Sequence, residues 1–214
     1  MRSTLTTGSK FRDHLYTSPN GNRIVLTNAK SLASMKNTTI YLNGDGNTIR
    51  LDGLVNVINL NVVCIKRSTL SIGPPVTLRG LTVISSSDCN VKIGANCLSS
   101  RDVLVYASNA HGLFSVKDGS RKFKNTIEIG GRVWLGQGAR VLSGAQIGEG
   151  FVIGSFSVLA GKIPNNCAAA GNPCRVTSRD VFWTSRTPEG DANYFEMLQE
   201  ANEPMPAFVR MTDD

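Results

Sequence analysis

The fold is decided by the stretch IGGRVWLGQGARVLSGAQIGEGFVIGSFSVLAGKIP, residues 129–164, which divides into consecutive hexads. The first position of every hexad is aliphatic, the second is usually glycine, and the fifth is small or apolar. Two inward side chains at alternate positions describe a very short strand. A glycine directly after them lets the chain adopt conformations that other side chains resist. The repeat therefore predicts a three-cornered coil of short parallel strands around a narrow aliphatic core.

Upstream of the hexads the same pattern is weaker. Apolar pairs recur between residues 24 and 105, but their spacing drifts and polar turn sequences such as NGDGN separate them. We predict the same solenoid here with irregular corners. The pattern lapses between Val105 and Ile127, which predicts a loop extruded from the coil near 106–126. Long loops on rigid scaffolds often carry function.

The predicted organisation has three parts: an N-terminal segment 1–23, a β-helix domain 24–170 and a C-terminal tail or cap 171–214. Within the tail, residues 191–201 favour a short helix that is capped by Asp191 and ends before Pro204. The spacing of the hexads does not determine the handedness of the coil.

Composition excludes several classes of protein. The chain has 214 residues, of which 41% are hydrophobic and 18% charged, so neither a disordered chain nor a coiled coil is expected. The net charge of +7 favours anionic partners. No basic stripe with interleaved aromatic residues predicts binding to nucleic acid. Five cysteines without a C-x-x-C pair indicate neither a disulfide framework nor a zinc site.

No apolar run in the sequence is long enough for a signal peptide or a membrane span. We therefore expect a cytoplasmic protein with reduced thiols.

The stretch from Ile129 to Val176, together with SNAH at 108–111, resembles the C-terminal signature of the hexapeptide-repeat acetyltransferases. The similarity is closest to the branch of galactoside, maltose and polysaccharide O-acetyltransferases, and it is strong over residues 88–180. The resemblance implies an all-β fold, the left-handed parallel β-helix. It also implies a homotrimer that binds acetyl-CoA between subunits and transfers acetyl directly to a sugar hydroxyl within a ternary complex.

Transfer to a hydroxyl requires a positioned base, because a neutral sugar hydroxyl is a poor nucleophile. The chain has two histidines: His14 lies in the N-terminal segment, and His111 lies in the extruded loop. The resemblance implies that His111 is the catalytic base. The family often has Ser-Asp-x-His where this chain has Asn109, which supplies only a hydrogen bond. Asp88, about one coil earlier, is a further candidate for contacting the acceptor.

Trp134 occupies the sixth position of its hexad, so strand alternation predicts that it points outward. The resemblance implies that it walls the acceptor pocket. An anchor at the subunit interface is the alternative for this side chain.

The resemblance also implies the residues that hold the cofactor. Gln137, Ser155 and Ala160 correspond to positions along the pantetheine arm. Lys162, Arg175 and Arg179 are the candidates for the nucleotide phosphates. The lysine is shifted by one position relative to the family, and Phe156 replaces a customary glycine that borders the groove. No metal is expected. The γ-class carbonic anhydrases of this fold need three histidines for each metal site, and this chain has two in total.

Three functions remain open. The first is acetyl-CoA-dependent O-acetylation of a bacterial surface polysaccharide (capsular, O-antigen or exopolysaccharide) or its precursor. The second is N-acetylation of a nucleotide-linked amino sugar, and the third is a non-catalytic β-helix scaffold. The loop sequence KDGSRKFK, residues 117–124, would attract an acidic glycan if it overhangs the acceptor.

Overall fold

The computed structural model describes residues 3–6, 14–28, 35–53, 56–108, 111–185 and 193–213. These residues form three β-sheets around one aliphatic core, a parallel β-helix of about six turns. Each turn passes from the second sheet to the third, then to the first, so the cross-section is triangular. The fold class predicted from the hexads is confirmed.

The first sheet has seven strands in the described part of the chain. They are β1 (Ser3–Thr6), β4 (Thr39–Asn43), β6 (Leu60–Ile65), β9 (Leu81–Ser85), β12 (Val103–Ala107), β15 (Arg140–Leu142) and β18 (Val158–Leu159).

The second sheet has eight described strands. They are β2 (His14–Thr17), β3 (Arg23–Thr27), β5 (Thr48–Asp52), β7 (Thr69–Ile72), β10 (Asn90–Ile93), β13 (Thr126–Ile129), β16 (Gln146–Ile147) and β19 (Lys162–Ile163).

The third sheet has six described strands. They are β8 (Thr77–Leu78), β11 (Leu98–Ser99), β14 (Trp134–Leu135), β17 (Val152–Ile153), β20 (Cys167–Ala170) and β21 (Arg175–Arg179).

Antiparallel strands flank the coil at both ends. Strand β1 pairs antiparallel with β4, and β2 pairs antiparallel with β3. At the other end, β21 folds back antiparallel on β20. The strands between them pair in parallel, each with the strand one coil away. The added strands cover sheet edges that would otherwise present unpaired backbone groups.

The upstream coils are nearly constant in length, although the apolar pairs within each coil are unevenly spaced as expected. Thr48, Thr69 and Asn90 occupy equivalent positions on adjacent strands and lie 21 residues apart. In the hexad region Trp134 and Val152 are equivalent and lie 18 residues apart. The sequence looks irregular because the three sides of an upstream coil differ in length. Most full coils nevertheless span 21 or 22 residues, whereas the first, from Arg23 to Thr48, spans 25.

The extra upstream residues lie largely in the first sheet. Strand β9 buries three alternate side chains, those of Leu81, Val83 and Ser85. Strand β15, in the hexad region, buries only Val141. The first side of the triangle is therefore longer in the upstream coils.

The glycines at the second position of the hexads allow close packing between coils. The expectation that they form the turns is wrong. A Cβ at Gly136, in the second position of its hexad, would lie 2.5 Å from the carbonyl oxygen of Ile153 in the next coil. The left-handed conformation falls instead on the fourth position, as at Gly138 with φ of 67° and Gly150 with φ of 71°. The first five hexads thus turn at the fourth residue, and those with glycine at the second position stack tightly there.

A row of buried polar side chains replaces the aliphatic core at one inner corner of the upstream coils. The Asn47 side-chain amide donates to Oδ1 of Asn22 at 2.9 Å and to the carbonyl oxygen of Asn43 at 3.0 Å. Its Oδ1 accepts from the backbone N and the Oγ of Ser68, both at 3.1 Å. Asn47 therefore joins three successive coils through fully satisfied hydrogen bonds.

The C-terminal arm packs along the corner between the second and third sheets. The indole of Trp183 donates to the carbonyl oxygen of Arg132 at 2.6 Å, and the Arg132 guanidinium lies 3.6 Å from the centre of the Phe208 ring. Asn166 donates to the carbonyl oxygen of Phe208 at 2.9 Å. These contacts cover the C-terminal coils.

The predicted helix is present but shorter than expected. Helix α1 spans Tyr194–Glu200, and its N-cap is Asn193, whose side chain accepts a hydrogen bond from the backbone N of Phe195. Asp191, the expected cap, lies outside the described residues. Asparagine is as good an N-cap as aspartate, so the position of the cap and not its chemistry was mistaken. The described residues include no helix with the length and hydrophobicity that crossing a lipid bilayer requires.

We predict that Asn47→Ala lowers the free energy of unfolding by about 1–3 kcal/mol, because the buried backbone N–H and hydroxyl of Ser68 in the next coil lose their acceptor. Denaturant unfolding followed by circular dichroism at fixed protein concentration measures the change. The matched control is Asn90→Ala, because exposed Asn90 accepts one surface hydrogen bond from Thr69. Equal destabilisation by the two variants would contradict the assigned role of the buried row.

Candidate active site

The extruded loop leaves the coil after Ala107 and returns at Thr126, at the corner between the first and second sheets. Its far end is a small turn in which Phe114 and Arg121 form an antiparallel bridge. The carboxylate of Asp118 accepts hydrogen bonds from the backbone N and the Oγ of Ser120, at 3.0 and 2.7 Å. These bonds favour the charged carboxylate and lower the pKa of Asp118. The loop therefore has a defined structure of its own.

His111 lies at the beginning of this loop and is exposed. Asn109, the expected hydrogen-bonding neighbour, lies outside the described residues. The basic side chains of the loop sequence 117–124 are also exposed, and the Arg121 guanidinium lies 4.7 Å from the centre of the Phe123 ring. The loop thus carries an accessible imidazole and a cluster of positive charge.

Asp88 lies at the same corner, one coil before the loop. Its two carboxylate oxygens accept hydrogen bonds from Nε and Nη2 of Arg67, at 2.8 and 2.9 Å. Hydrogen bonding to Arg67 is the main reason that the pKa of Asp88 is lowered. The side chain of Asn125, at the end of the loop, donates to the backbone oxygen of Asp88 at 3.1 Å. Asp88 therefore supports the base of the loop, and any contact of its carboxylate with an acceptor would compete with Arg67.

Trp134 lies on strand β14 and points out of the coil with 38% of its surface exposed. Its indole nitrogen donates to the Oγ of Ser100, one coil earlier, at 3.2 Å. The ring of Trp183 from the C-terminal arm lies beside it, with 6.0 Å between ring centres and 55° between planes. Together the two tryptophans border a groove of about 630 Å³ on the outer face of the third sheet.

One chain does not bring the loop and Trp134 together. The loop base lies where the first and second sheets meet, and the third sheet is the side of the triangle opposite that corner. Within one chain, the base of the loop and Trp134 therefore lie on different sides of the triangle.

The six candidate cofactor residues also lie on separate edges of the chain. Gln137 and Ser155 lie in successive coils at the corner between the third and first sheets, and Arg175 follows the same corner in the last coil. Ala160 and Lys162 lie at the corner between the first and second sheets. All five are exposed.

Arg179 stands apart from the other cofactor candidates. It ends strand β21, where it is aligned with Cys167. This position is at the corner between the second and third sheets, the one edge of the triangle that carries none of the other candidates.

Phe156 occupies the fourth position of its hexad, where the preceding coil has Gly138. Its φ is 58°, a left-handed conformation that bulky residues rarely adopt. The ring stacks against Gly138 of the preceding coil, because a Cβ at that glycine would lie 2.5 Å from the ring. The side chain is 69% exposed beside Gln137 and Ser155. Phe156 therefore places a large aromatic ring at the edge where the pantetheine arm is expected.

Sequence reasoning missed the residues that shape the groove. Trp183, Arg132 and Arg79 all line it. Trp183 was identifiable as one of only two tryptophans in the chain. Arg79 can be placed beside Ser100 only when the 21-residue period of the upstream coils is known.

The fold and the extruded loop define a hexapeptide-repeat β-helix protein. No protein-family model matches the chain. It is 30% identical over 132 residues to the polysialic acid O-acetyltransferase of Escherichia coli O1:K1 / APEC, a match that covers 61% of this chain and 43% of that protein. It is 33% identical over 96 residues to the galactoside O-acetyltransferase of Escherichia coli strain K12, covering 45% of this chain and 46% of that protein.

Among solved structures, the polySia-specific acetyltransferase NeuO matches with a TM-score of 0.60 and 25% identity, covering 85% of this chain and 87% of NeuO. The resemblance predicted from the hexads and the SNAH loop is confirmed: the chain is related to the hexapeptide-repeat O-acetyltransferases. The matched regions span less than half the length of the two curated relatives.

The cysteines of the described coils are buried. Burial raises the pKa of the Cys64 and Cys97 thiols to about 11, against an ordinary value of 9.0. Cys97 lies beneath the groove, and its Sγ is 3.2 Å from the carbonyl oxygen of Gly130. A thiol that stays protonated near neutral pH is a poor nucleophile.

We predict that iodoacetamide alkylates Cys64 and Cys97 at pH 8 at least about 100-fold more slowly in the folded protein than in the urea-unfolded chain, because burial excludes the reagent and also lowers the thiolate fraction. The rate should also rise with pH, because iodoacetamide reacts with the thiolate. Peptide mass spectrometry after timed labelling measures both effects. Labelling of native Cys97 as fast as in the unfolded chain would contradict the assigned burial.

Proposed function

We propose that this protein is an acetyl-CoA-dependent O-acetyltransferase that acts on a sugar hydroxyl of a bacterial surface polysaccharide or its precursor. The observation that carries the proposal is the exposed His111 on the one loop that leaves the hexad coil in the described chain. The relatives named for acetylation of polysialic acid and galactosides match the chain over part of its length, and they support the same chemistry.

In the proposed mechanism, His111 accepts the proton of the acceptor hydroxyl while its oxygen attacks the thioester carbonyl of acetyl-CoA. A C–O bond forms, and the C–S bond of the tetrahedral intermediate then breaks. The departing CoA sulfur receives the proton that His111 holds, so the imidazole returns to its neutral form. No step passes through a cysteine, in agreement with the raised pKa of the buried thiols at Cys64 and Cys97.

A homotrimer with the first sheet facing the threefold axis would complete this site. The outer face of that sheet carries an unbroken row of half-buried apolar side chains in register. The row consists of Tyr41, Val63, Ile84, Tyr106 and Leu142. The outer face of the second sheet is polar at the corresponding strands, with Arg50, Ser71, Lys92 and Glu128. Apolar faces of this kind are typical of stable homo-oligomer interfaces.

This arrangement brings the separated candidates together, except for Arg179 at the corner between the second and third sheets. When three first sheets face one axis, the third–first corner of each chain meets the first–second corner of its neighbour. Gln137 and Ser155 then approach Ala160 and Lys162 of the next chain, which supports a cofactor site between subunits. The loop with His111 reaches the edge of the neighbouring third sheet that bears Trp134.

We predict that His111→Ala lowers the turnover of acetyl transfer by about 10²–10⁴-fold, the usual contribution of a general base. Binding of acetyl-CoA, measured by calorimetry, should stay within a few-fold of wild type. The assay follows release of the CoA thiol with a panel of hydroxyl-bearing and amino-bearing sugars and identifies the product by mass. Transfer to amines alone would favour the N-acetyltransferase instead.

The matched control is His14→Ala, which removes the other histidine of the chain. His14 lies on strand β2 at the N-terminal end of the coil, away from the loop. Its variant should retain full turnover. Unchanged turnover in His111→Ala would remove the catalytic assignment.

Complementation tests whether two chains form each site. His111→Ala and Trp134→Ala subunits are each expected to be nearly inactive alone. In co-expressed mixed trimers, about a quarter of the sites combine an intact histidine with an intact tryptophan from neighbouring chains, so roughly a quarter of wild-type turnover should return. Activity that stays at the level of the single variants, with mixed trimers verified by differential tags, would contradict a shared site.

A further inference from the structure

We propose that the groove on the outer face of the third sheet binds carboxylated sugar residues that flank the residue to be acetylated. The inference rests on the proposed function and names the chemical class of its acceptor. Trp134 lies at one end of the groove, and the groove runs from there toward the N-terminal coils. Arg79, Arg132 and Trp183 are assigned as its binding residues.

The shape of the groove follows from the register of the coils. Thr77, Leu98 and Trp134 are aligned on three successive strands and form its floor. Neighbouring strands lie about 4.8 Å apart, so this floor spans roughly 10 Å along the coil axis. The C-terminal arm borders one side through Trp183, Thr184 and Ser185. An extended chain that lies along the coil axis suits this shape.

Trp134 and Trp183 provide an aromatic surface at one end of the groove. Both indole nitrogens already donate hydrogen bonds within the protein, Trp134 to Ser100 and Trp183 to the Arg132 carbonyl. These bonds fix the orientation of the two rings, and the exposed surface of Trp134 and the partly exposed surface of Trp183 line the groove. A pyranose ring exposes an apolar C–H face that a flat aromatic side chain can cover. The pair therefore forms a rigid platform for sugar rings.

Charge in the groove points to an anionic chain. The described residues that line it include Arg79 and Arg132 but no aspartate or glutamate. The exposed Arg79 guanidinium forms no ion pair with any described residue. Arg132 is held by its contact with the Phe208 ring. Guanidinium groups bind carboxylates with paired hydrogen bonds, so both can receive an acidic sugar substituent.

The positions of the two arginines favour separated single charges. Arg79 follows β8 and Arg132 precedes β14, so they lie two coils apart and at opposite edges of the third sheet. Two cations roughly 10 Å apart along the axis suit carboxylates carried by different sugar residues of one chain. They suit a compact, multiply charged phosphate group less well.

The test measures binding of polysaccharide in the absence of acetyl-CoA. The probes are polysialic acid and polygalacturonic acid, each compared with its carboxyl-reduced neutral form by affinity electrophoresis and calorimetry. Wild type should bind at least one carboxylated polymer ten or more times more tightly than the reduced polymer. Arg79→Ala should lose about tenfold or more of that affinity, and Arg79→Lys should lose less.

The control for charge is Arg50→Ala, which removes an exposed arginine from the outer face of the second sheet. It should leave polymer binding within about twofold of wild type. Trp183→Ala should weaken binding of the carboxylated and the reduced polymer alike, and Trp183→Phe should restore most of it, because the aromatic face is kept. Circular dichroism and thermal melting confirm that each variant is folded.

Three results would overturn the proposal: no binding of wild type to any carboxylated polymer, equal binding of reduced and carboxylated forms, or equal losses in Arg79→Ala and Arg50→Ala. Failure of the proposed function is a separate outcome. It would show as no acetyl transfer by wild type to any acceptor, whether or not the polymers bind. If the protein acetylates short sugars but binds polymers independently of Arg79, the proposed acetyltransferase function stands and the proposed role of the groove is wrong.

Discussion

Pairing of each short strand with its equivalents one coil away is the constraint on which the structure depends. A strand of two residues such as β14 or β17 is not stable by itself, so its backbone hydrogen bonds exist only while the coils remain stacked in register. The register is enforced by inward aliphatic side chains and by glycines such as Gly136 that allow close approach of the next coil. A shift by one residue would turn every inward side chain outward.

The same stacking gives each face of the triangle a uniform character. Aligned positions form rows, so the first sheet presents an apolar row from Tyr41 to Leu142, and the second sheet presents polar side chains. The third sheet carries the groove between Trp134 and Arg79. The loop after Ala107 is not stacked between coils, and it carries the exposed His111 on which the proposed mechanism depends.

Residues adjacent to the hexads were the most predictable from sequence. The fold, the extruded loop and the outward position of Trp134 follow from periodicity, because inward and outward positions alternate within each strand. The irregular upstream spacing concealed a 21-residue coil, since the sides of that triangle differ in length. The helix cap moved from Asp191 to Asn193 because both residues cap well and only the fold decides where the helix begins.

Local spacing in the chain, and its interruption after Val105, are enough to predict a β-helix and a loop that carries His111 out of it. The grouping of residues along each edge of the triangle follows from three-dimensional packing. This packing separated Gln137 and Ser155 from Ala160 and Lys162, placed Trp134 opposite the loop base, and joined Trp183 to a groove that Arg79 also lines. A solenoid aligns residues that are one full coil apart, and the coil length cannot be read from a six-residue pattern. The position of Trp183 depends on how the C-terminal arm packs, which a local pattern does not predict either.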